Sequence, residues 1–293
     1  MIYCELMGGL GNQLFQIFAT SAYAFKHDRT FSFPDSKIIG TRPTYWSNFL
    51  SSLMQYTTSS NQTFDPTGRP IHSVDPKGRP LWAVDIRFNE SGFHYQEIPA
   101  FEKNESIYIT GYYQSYKYFE EYYEKICDLI KLNEQKEKVY YKFPKEYSNM
   151  ISIHFRIGDY KHLPYYHPVM PYEYYKNALQ FIIENNCSLV EVLYFCEIEN
   201  NEEVALHIDR LKVEFPFLQF IKGEDIATDY EQMLMMSLCK YNIIANSSFS
   251  WFSAYLNNNE HKLVCYPSVW FGQGMKDYIM DDLCPTSWKQ INL

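Results

Sequence analysis

Short apolar runs recur along this chain, and the segments between them carry apolar residues at helical spacing. Residues 2–7 read as a short strand, GGLGN (8–12) as a turn, QLFQIFATSAYAFKH (13–27) as an apolar-rich helix and RTFSFP (29–34) as a returning strand, a βαβ opening. IYITGYYQ (107–114) reads as a strand, and SYKYFEEYYEKICDLIKL (115–132) as one helix with Ser115 as N-cap. The lysine- and glutamate-rich stretch 133–146 reads as a linker and sets a domain boundary near 140–150. The second half alternates more cleanly. MISIHF (150–155), VEVLYFC (190–196), FLQFI (217–221), YNIIAN (241–246) and KLVCYP (262–267) read as strands. Between them, 171–185, 201–214, 228–239 and 248–257 read as helices. The first of these has Pro171 near its start and Tyr175, Ala178, Leu179, Ile182 and Ile183 at helical spacing. The third opens with a Thr228–Glu231 capping box.

Repeated β-α units imply an α/β chain whose parallel sheets are covered by helices. One such domain per half gives 1–145 and 146–293, meeting at a cleft. The region of about 40–106 departs from the rhythm. It holds DPTGRP (65–70) and DPKGRP (75–80), one motif repeated at a ten-residue offset, and reads as a hairpin-like insertion. Ligands in parallel sheets bind outside the carboxyl ends of the strands, and residues 154–160 occupy such an end.

Composition narrows the function classes. A net charge of −9 over 293 residues argues against a general nucleic-acid binder. Aromatics make up 18% of the chain, with 27 Tyr, a residue that suits cores and sugar-binding surfaces alike. The 7 cysteines are widely spaced, without a CxxC pair or a zinc-spaced cluster, which fits reduced thiols in a cytoplasmic protein. The start MIYCELMGGLGN lacks the features of a signal peptide, and no run approaches the length of a membrane span.

Arg156 is the strongest candidate for chemistry, the only arginine between Arg87 and Arg210. A strand-end arginine binds phosphate or carboxylate through two N–H groups; the alternative is a salt bridge to Asp159 that orders the turn. His154 alternates with Arg156 and is either a partner in the site or a structural histidine. Asp159 is a turn former, an orienting carboxylate or a ligand contact, the first two being favoured. GGLGN ends a strand and opens a helix, the geometry that binds phosphate, but Leu14 stands where a dinucleotide fingerprint needs its third glycine. NSSFSWFSAYL (246–256) repeats the geometry, with Ser247 or Ser248 as the capping side chain and Phe249 and Trp251 as packing groups. Asp229 opens a helix and favours its dipole. No DxD motif occurs, so if a diphosphate leaves here, Arg156 and helix N-termini must neutralise it rather than a carboxylate-held metal.

GGLGNQLFQ, HFRIGDY and ANSSFSWFSAYL, in that order, resemble the bacterial-type α-1,2-fucosyltransferases, and GYYQSYKYF, HPVMPYEYYKNAL and MLMMSLCKYNIIANSS fit the same family. The resemblance implies a GT-B fold of two Rossmann-like domains, GDP-β-L-fucose as donor on the second, a glycan acceptor on the first, inversion at the anomeric carbon and no metal or other cofactor. It makes Arg156 the motif arginine at the β-phosphate, with His154 and Asp159 lining the nucleotide pocket. Gly9, Gly11, Asn12 and Gln13 form the N-terminal loop, and Asp229, Ser247, Ser248 and Phe249 approach the nucleotide. Many members carry two consecutive arginines where this chain has Arg156 followed by Ile157. An acceptor base stays unassigned: Glu5 and Asp35 have nothing to distinguish them. The implied location is cytoplasmic, with peripheral membrane association left open. The rival readings are a GDP-fucose enzyme of other regiochemistry (α-1,6 or protein-O) and a non-catalytic glycan-binding protein.

Overall fold

A computed structural model of the chain describes residues 1–58, 63–64, 70–71, 86–102, 104–185 and 191–293. The chain forms two compact units. Met1–Asn133 with Tyr278–Cys284 make the first, and Glu134–Asp277 with Pro285–Leu293 make the second. Apart from Pro70, the two DPxGRP copies lie outside the described residues, as do Cys187 and Val190.

The first unit opens with β1 (Ile2–Cys4), α1 (Leu10–Lys26) and β2 (Phe31–Pro34). The βαβ reading therefore holds. A two-residue pair follows, β3 (Ile38–Ile39) antiparallel to β4 (Arg42–Pro43), then β5 (Thr57–Thr58). In the insertion, β6 (Thr63–Phe64) pairs antiparallel with β7 (Pro70–Ile71) as a hairpin does. β8 (Ile86–Asn89) and β9 (Ile107–Thr110) complete a sheet of order β5-β2-β1-β9-β8, parallel throughout. α1 is buried almost all round, with Leu14, Phe15, Ile17 and Phe18 enclosed together with the polar Gln13, Gln16, Thr20 and Ser21.

Two expectations fail here. Residues 115–132 are not one helix. Turns of 3-10 helix over Tyr116–Tyr118 and Glu120–Tyr122 precede α2 (Tyr123–Leu129). Ser115 does cap the first turn, accepting from the Lys117 N–H. The break falls at Phe119 (φ −140°, ψ 0°), whose ring is drawn into contact with Phe15 and Phe18 of α1. Burial of that ring outweighs continuation of the helix. Nor is 133–146 a linker: α3 (Leu132–Lys142) fills most of it, as its lysines and glutamates favour. Lys131, at φ +54°, turns the chain between α2 and α3.

The second unit holds β10 (Met150–His154), α4 (Tyr172–Asn185), β11 (Glu191–Phe195), α5 (Asn201–Glu214), β12 (Gln219–Lys222), α6 (Asp229–Leu238), β13 (Tyr241–Ile243), α7 (Ser248–Tyr255), β14 (Val264–Pro267) and β15 (Lys289–Ile291). Its sheet has the order β12-β11-β10-β13-β14-β15, again parallel throughout. That is the 3-2-1-4-5-6 order of a doubly wound fold, whose direction reverses between β10 and β13. Ile151, Ile153, Val192 and Ile243 are enclosed in the sheet, and Leu179, Ile182, Val204 and Leu211 pack from the helices. Only β15 escapes the pattern reading. Its segment, KQI, has a single apolar residue, Ile291, and pairing to β14 places it.

Candidate active site

Arg156 stands two residues past β10, at the carboxyl edge where the strand order reverses. The register pairs His154 with Phe195, and the same offset sets Arg156 opposite Glu197, just past β11. The guanidinium, 17% exposed, is forked between two carboxylates. Nη1 donates to Glu197 Oε1, and Nη2 donates to Asp159 Oδ1. Its Cζ lies 5.0 Å from the Tyr160 ring centroid. Burial works against the charge, but Glu197 and Asp159 overcome it, so the pKa lies above that of an ordinary arginine.

Glu197 was not singled out in the sequence. Its signal was there, in the equal position of Arg156 and Glu197 past adjacent parallel strands, but strand adjacency is a tertiary fact. Gly158 belongs to the same device. A Cβ there would lie 1.9 Å from Glu197 Oε2. The Gly158 N–H donates to Asn200 Oδ1 at 3.0 Å, seating the 156–160 turn on the 197–200 turn.

His154 and Arg156 have different neighbours. His154 is 6% exposed, and its ring centroid is 5.3 Å from that of Phe249, across the β13–α7 connection. Its Nδ1 is buried without a hydrogen-bond partner. Burial first, and the Arg156 charge second, push its pKa down to about 3, so it is neutral near pH 7. Tyr160 links the two loops, its hydroxyl donating to the Asn246 carbonyl at 3.1 Å. Asn246 Nδ2 donates to the carbonyls of Pro168 and Trp270, each at 3.0 Å.

Ser247 is the N-cap of α7, but no side chain caps the helix, contrary to the expectation for Ser247 or Ser248. The hydroxyl that closes this turn is Ser250, which donates to the Ser247 carbonyl at 3.3 Å. The first turn of α7 carries no acidic residue, so its N-terminus keeps the positive end of the helix dipole. Asp229 begins α6, and its Oδ1 accepts from the Tyr230 N–H at 2.7 Å. The capping box beside it is present, with the Thr228 N–H donating to Glu231 Oε2 at 2.8 Å. Asp229 is not one of the two carboxylates on Arg156.

Gly9, Gly11, Asn12 and Gln13 cluster in the first unit, at the β1–α1 turn. Gly9 is the N-cap of α1 and Gly11 is buried in its first turn. Asn12 Oδ1 accepts from Gln114 Nε2 at 2.9 Å. Gln13 Nε2 donates to the carbonyls of Gly8 (3.0 Å) and Pro43 (2.8 Å). Gly8, which was not singled out, has φ +76°, and a Cβ on it would meet Asn12 Nδ2 at 2.5 Å. Glu90 was also missed. It follows β8, and its Oε2 accepts from the Tyr112 and Tyr113 N–H groups at 2.8 and 2.7 Å. Its Oε1 accepts from the Tyr118 hydroxyl at 3.0 Å. Burial lifts its pKa to about 7 against those hydrogen bonds. Among the described residues, no three His, Cys, Asp or Glu side chains converge as a metal site.

Two Escherichia coli proteins are similar in sequence. The O-antigen biosynthesis glycosyltransferase WbnK is 29% identical over 194 residues, 63% of this chain and 60% of that protein. An α-1,2-colitosyltransferase is 29% identical over 196 residues, 64% of this chain and 63% of that protein. The chain thus matches less than two thirds of the length of these curated relatives. Among solved structures, the fucosyltransferase NodZ from Bradyrhizobium aligns at 13% identity and a TM-score of 0.42, covering 87% of this chain and 93% of that one. The glycosyl transferase family 9 protein of Veillonella parvula DSM 2008 aligns at 10% identity and a TM-score of 0.46, covering 99% and 86%. The profile of Glycosyl transferase family 11 matches residues 87–278, more than half the chain and the whole span from β8 to the loop after β14, and the chain belongs to that family.

Proposed function

We propose that this glycosyltransferase is an α-1,2-fucosyltransferase. It moves L-fucose from GDP-β-L-fucose to the 2-hydroxyl of a glycan acceptor, a terminal galactose, with inversion and without a metal. The observation that carries the reading is Arg156 at the switch point of a 3-2-1-4-5-6 parallel sheet, across from the N-terminus of α7, in a chain of family 11. A guanidinium and a helix N-terminus at one strand edge suit a diphosphate.

The acceptor oxygen attacks C1 of fucose as the bond from C1 to the phosphate oxygen breaks. The electron pair of that bond leaves with GDP, and the sugar passes through an oxocarbenium-like state, as in glycoside hydrolysis. Negative charge grows on the β-phosphate, where Arg156 and the first amides of α7 stabilise it. His154, enclosed with its ring against Phe249, supports the nucleotide side, and the acceptor base stays unassigned. As the new bond to C1 forms, the attacking hydroxyl becomes strongly acidic and its proton passes to water or to an oxygen of the departing diphosphate. Partners are the sugar nucleotide and a carbohydrate, with no nucleic acid. The proposed location is the cytoplasm or the inner face of its membrane. No helix among the described residues is long and apolar enough to cross a membrane.

The test is GDP release with GDP-fucose and a galactoside panel, with product linkage analysis. Arg156→Ala should lower turnover by about 10²–10³-fold, as loss of one preorganised electrostatic donor does. Arg156→Lys should fail comparably, because a point charge cannot replace a fork. Activity should persist in EDTA. Near-normal turnover of Arg156→Ala refutes the assignment. The α-1,2-colitosyltransferase relative favours a second reading, transfer of a colitosyl group, and a donor panel separates the two.

A further inference from the structure

Beyond Arg156, the connection from β10 to α4 runs through Leu163, Pro164, Tyr165 and Tyr166, all of them exposed. Tyr165 and Tyr166 are 60% and 46% exposed, and their ring centroids lie 5.2 Å apart with the planes at 79°. Neither ring is part of the core, yet the backbone beneath them is tightly held. We infer that the Tyr165–Tyr166 pair is a platform for the acceptor sugar. The inference rests on the glycan-acceptor reading above. The sequence resemblance implied an acceptor on the first unit; these exposed rings belong to the second.

The segment is built as a mount for the two rings. The Tyr166 and His167 N–H groups donate to the Leu163 carbonyl at 2.9 and 2.8 Å. The loop after β14 braces it from the side. The Gly272 N–H donates to the Tyr166 carbonyl and the Gly274 N–H to the Tyr165 carbonyl, both at 2.8 Å. Close approach demands glycine at both points. A Cβ at 272 would lie 2.5 Å from the Tyr165 carbonyl oxygen, and one at 274 would lie 2.6 Å from the Tyr165 ring. Asn246 Nδ2 donates to the carbonyls of Pro168 and Trp270, so both segments are pinned to the turn before α7. The mount is also continuous with the arginine. The His167 ring stacks on Tyr160 at 4.9 Å between centroids, and Tyr160 lies against Arg156. Exposed apolar area on a rigid loop beside a charged site is the mark of a binding surface.

Charge selects the occupant. Residues 163–166 and 270–275 contain no Asp, Glu, Lys, Arg or His. Lys161, just before them, is paired with Glu203. Such a surface offers nothing to a diphosphate, which Arg156 attracts, but it suits a neutral sugar. A pyranose has apolar C–H faces and a rim of hydroxyls. Galactose, with its 4-hydroxyl axial, bares C3–H, C4–H and C5–H on one face. A tyrosine ring covers such a face at little conformational cost and keeps a hydroxyl for the rim. Two rings almost at right angles give the sugar a face and a side to rest on, which sets its orientation as well as its position.

The test is steady-state kinetics of the full chain with GDP-fucose and a β-galactoside, together with calorimetric titration of GDP, for Tyr165→Ala, Tyr166→Ala, Tyr165→Phe and Tyr166→Phe. Each alanine variant should raise the acceptor KM about fivefold to thirtyfold, the size of one truncated aromatic contact. Donor KM, the GDP dissociation constant and the release of GDP to water without acceptor should stay within about twofold of wild type, as for other surface substitutions. Tyr165→Phe and Tyr166→Phe keep the rings and should keep most of the acceptor affinity. An unchanged acceptor KM in both alanine variants overturns the inference, as does a loss in the phenylalanine variants as large as in the alanine ones. A rise confined to donor KM and GDP binding also overturns it, and makes the pair a stacking surface for the nucleotide base. Intact GDP binding shows that a variant is folded. If the wild type turns over with another GDP-sugar in place of GDP-fucose, the donor reading fails and the same variants are measured with that sugar nucleotide. If it releases GDP to no glycan, the glycosyl-transfer reading and the inference fail together.

Discussion

Single residues decide whether Arg156 is aimed. Gly158 is the cleanest probe, because it carries no charge and takes no direct part in the chemistry. Gly158→Ala places a methyl carbon 1.9 Å from Glu197 Oε2, so the carboxylate must shift from the position in which its Oε1 meets Nη1. The expected result is a loss of about tenfold to a hundredfold in kcat/KM, as for a misplaced catalytic group, in a protein that still folds. Activity within twofold of wild type would show that Glu197 has room to retreat without consequence. At this scale Arg156, His154 and Asp159 were readable, because residue type and position after an apolar run are local. Glu197 and Gly158 were not. Their meaning depends on which strand lies beside β10, and a carboxylate 41 residues downstream of Arg156 has no local mark.

Elements explain why a helix replaces the expected linker. α3 carries Lys136, which is 8% exposed, to the far end of α7. There its ammonium donates to the Leu256 carbonyl and, at 3.1 Å, to Asn258 Oδ1. Lys262 donates to the carbonyls of Ala254 (2.9 Å) and Asn257 (2.7 Å). Two ammonium groups therefore satisfy the carbonyl end of α7, while its amide end has no side-chain cap. Cations at a helix C-terminus are favourable, and buried carbonyls need donors. Lys136→Met keeps the length of the stem but strands these acceptors. It should destabilise the second unit by about 1–3 kcal/mol, read as a lower urea midpoint at unchanged m-value. An unchanged midpoint would mean that water replaces the ammonium there. Periodicity found α7 and its neighbours. It misread α3, because the buried stripe of Leu132, Lys136 and Val139 is interrupted by a lysine and surrounded by charged residues, which leaves too few apolar positions to announce it.

At the scale of the whole molecule, one buried group in each unit, His154 in the second and Glu90 in the first, contributes to stability with opposite pH dependence. In the second, His154 has a pKa of about 3 against 6.5 in the open chain. Below pH 6.5 the unfolded chain takes up a proton that the native unit refuses, so stability falls as pH drops from 6.5 toward 3. In the first, Glu90 sits at about 7 against 4.5. The native unit keeps a proton that the unfolded chain has released, so its contribution is full below 4.5 and is lost as pH rises through about 7. Urea midpoints from pH 4 to 8 check both. His154→Gln should reduce the acid-side loss, to which His167 and His207 also contribute, and Glu90→Gln should reduce the loss toward neutrality. A variant whose profile runs parallel to wild type refutes the assignment for that residue.

By itself the sequence determined the α/β class, most strands and helices of the second unit, and the arginine motif. All of these follow from the spacing of apolar residues and from chemistry confined to a few neighbours. The family too was legible, because three motifs in fixed order are a property of the chain. Only the tertiary structure decided the 3-2-1-4-5-6 order, the membership of 278–284 in the first unit, the last strand β15 and the partners of Arg156. Each of these depends on hydrogen bonds or ion pairs between segments far apart in the chain. The free energy of such contacts is set by which surfaces meet on folding, and no local pattern records that choice.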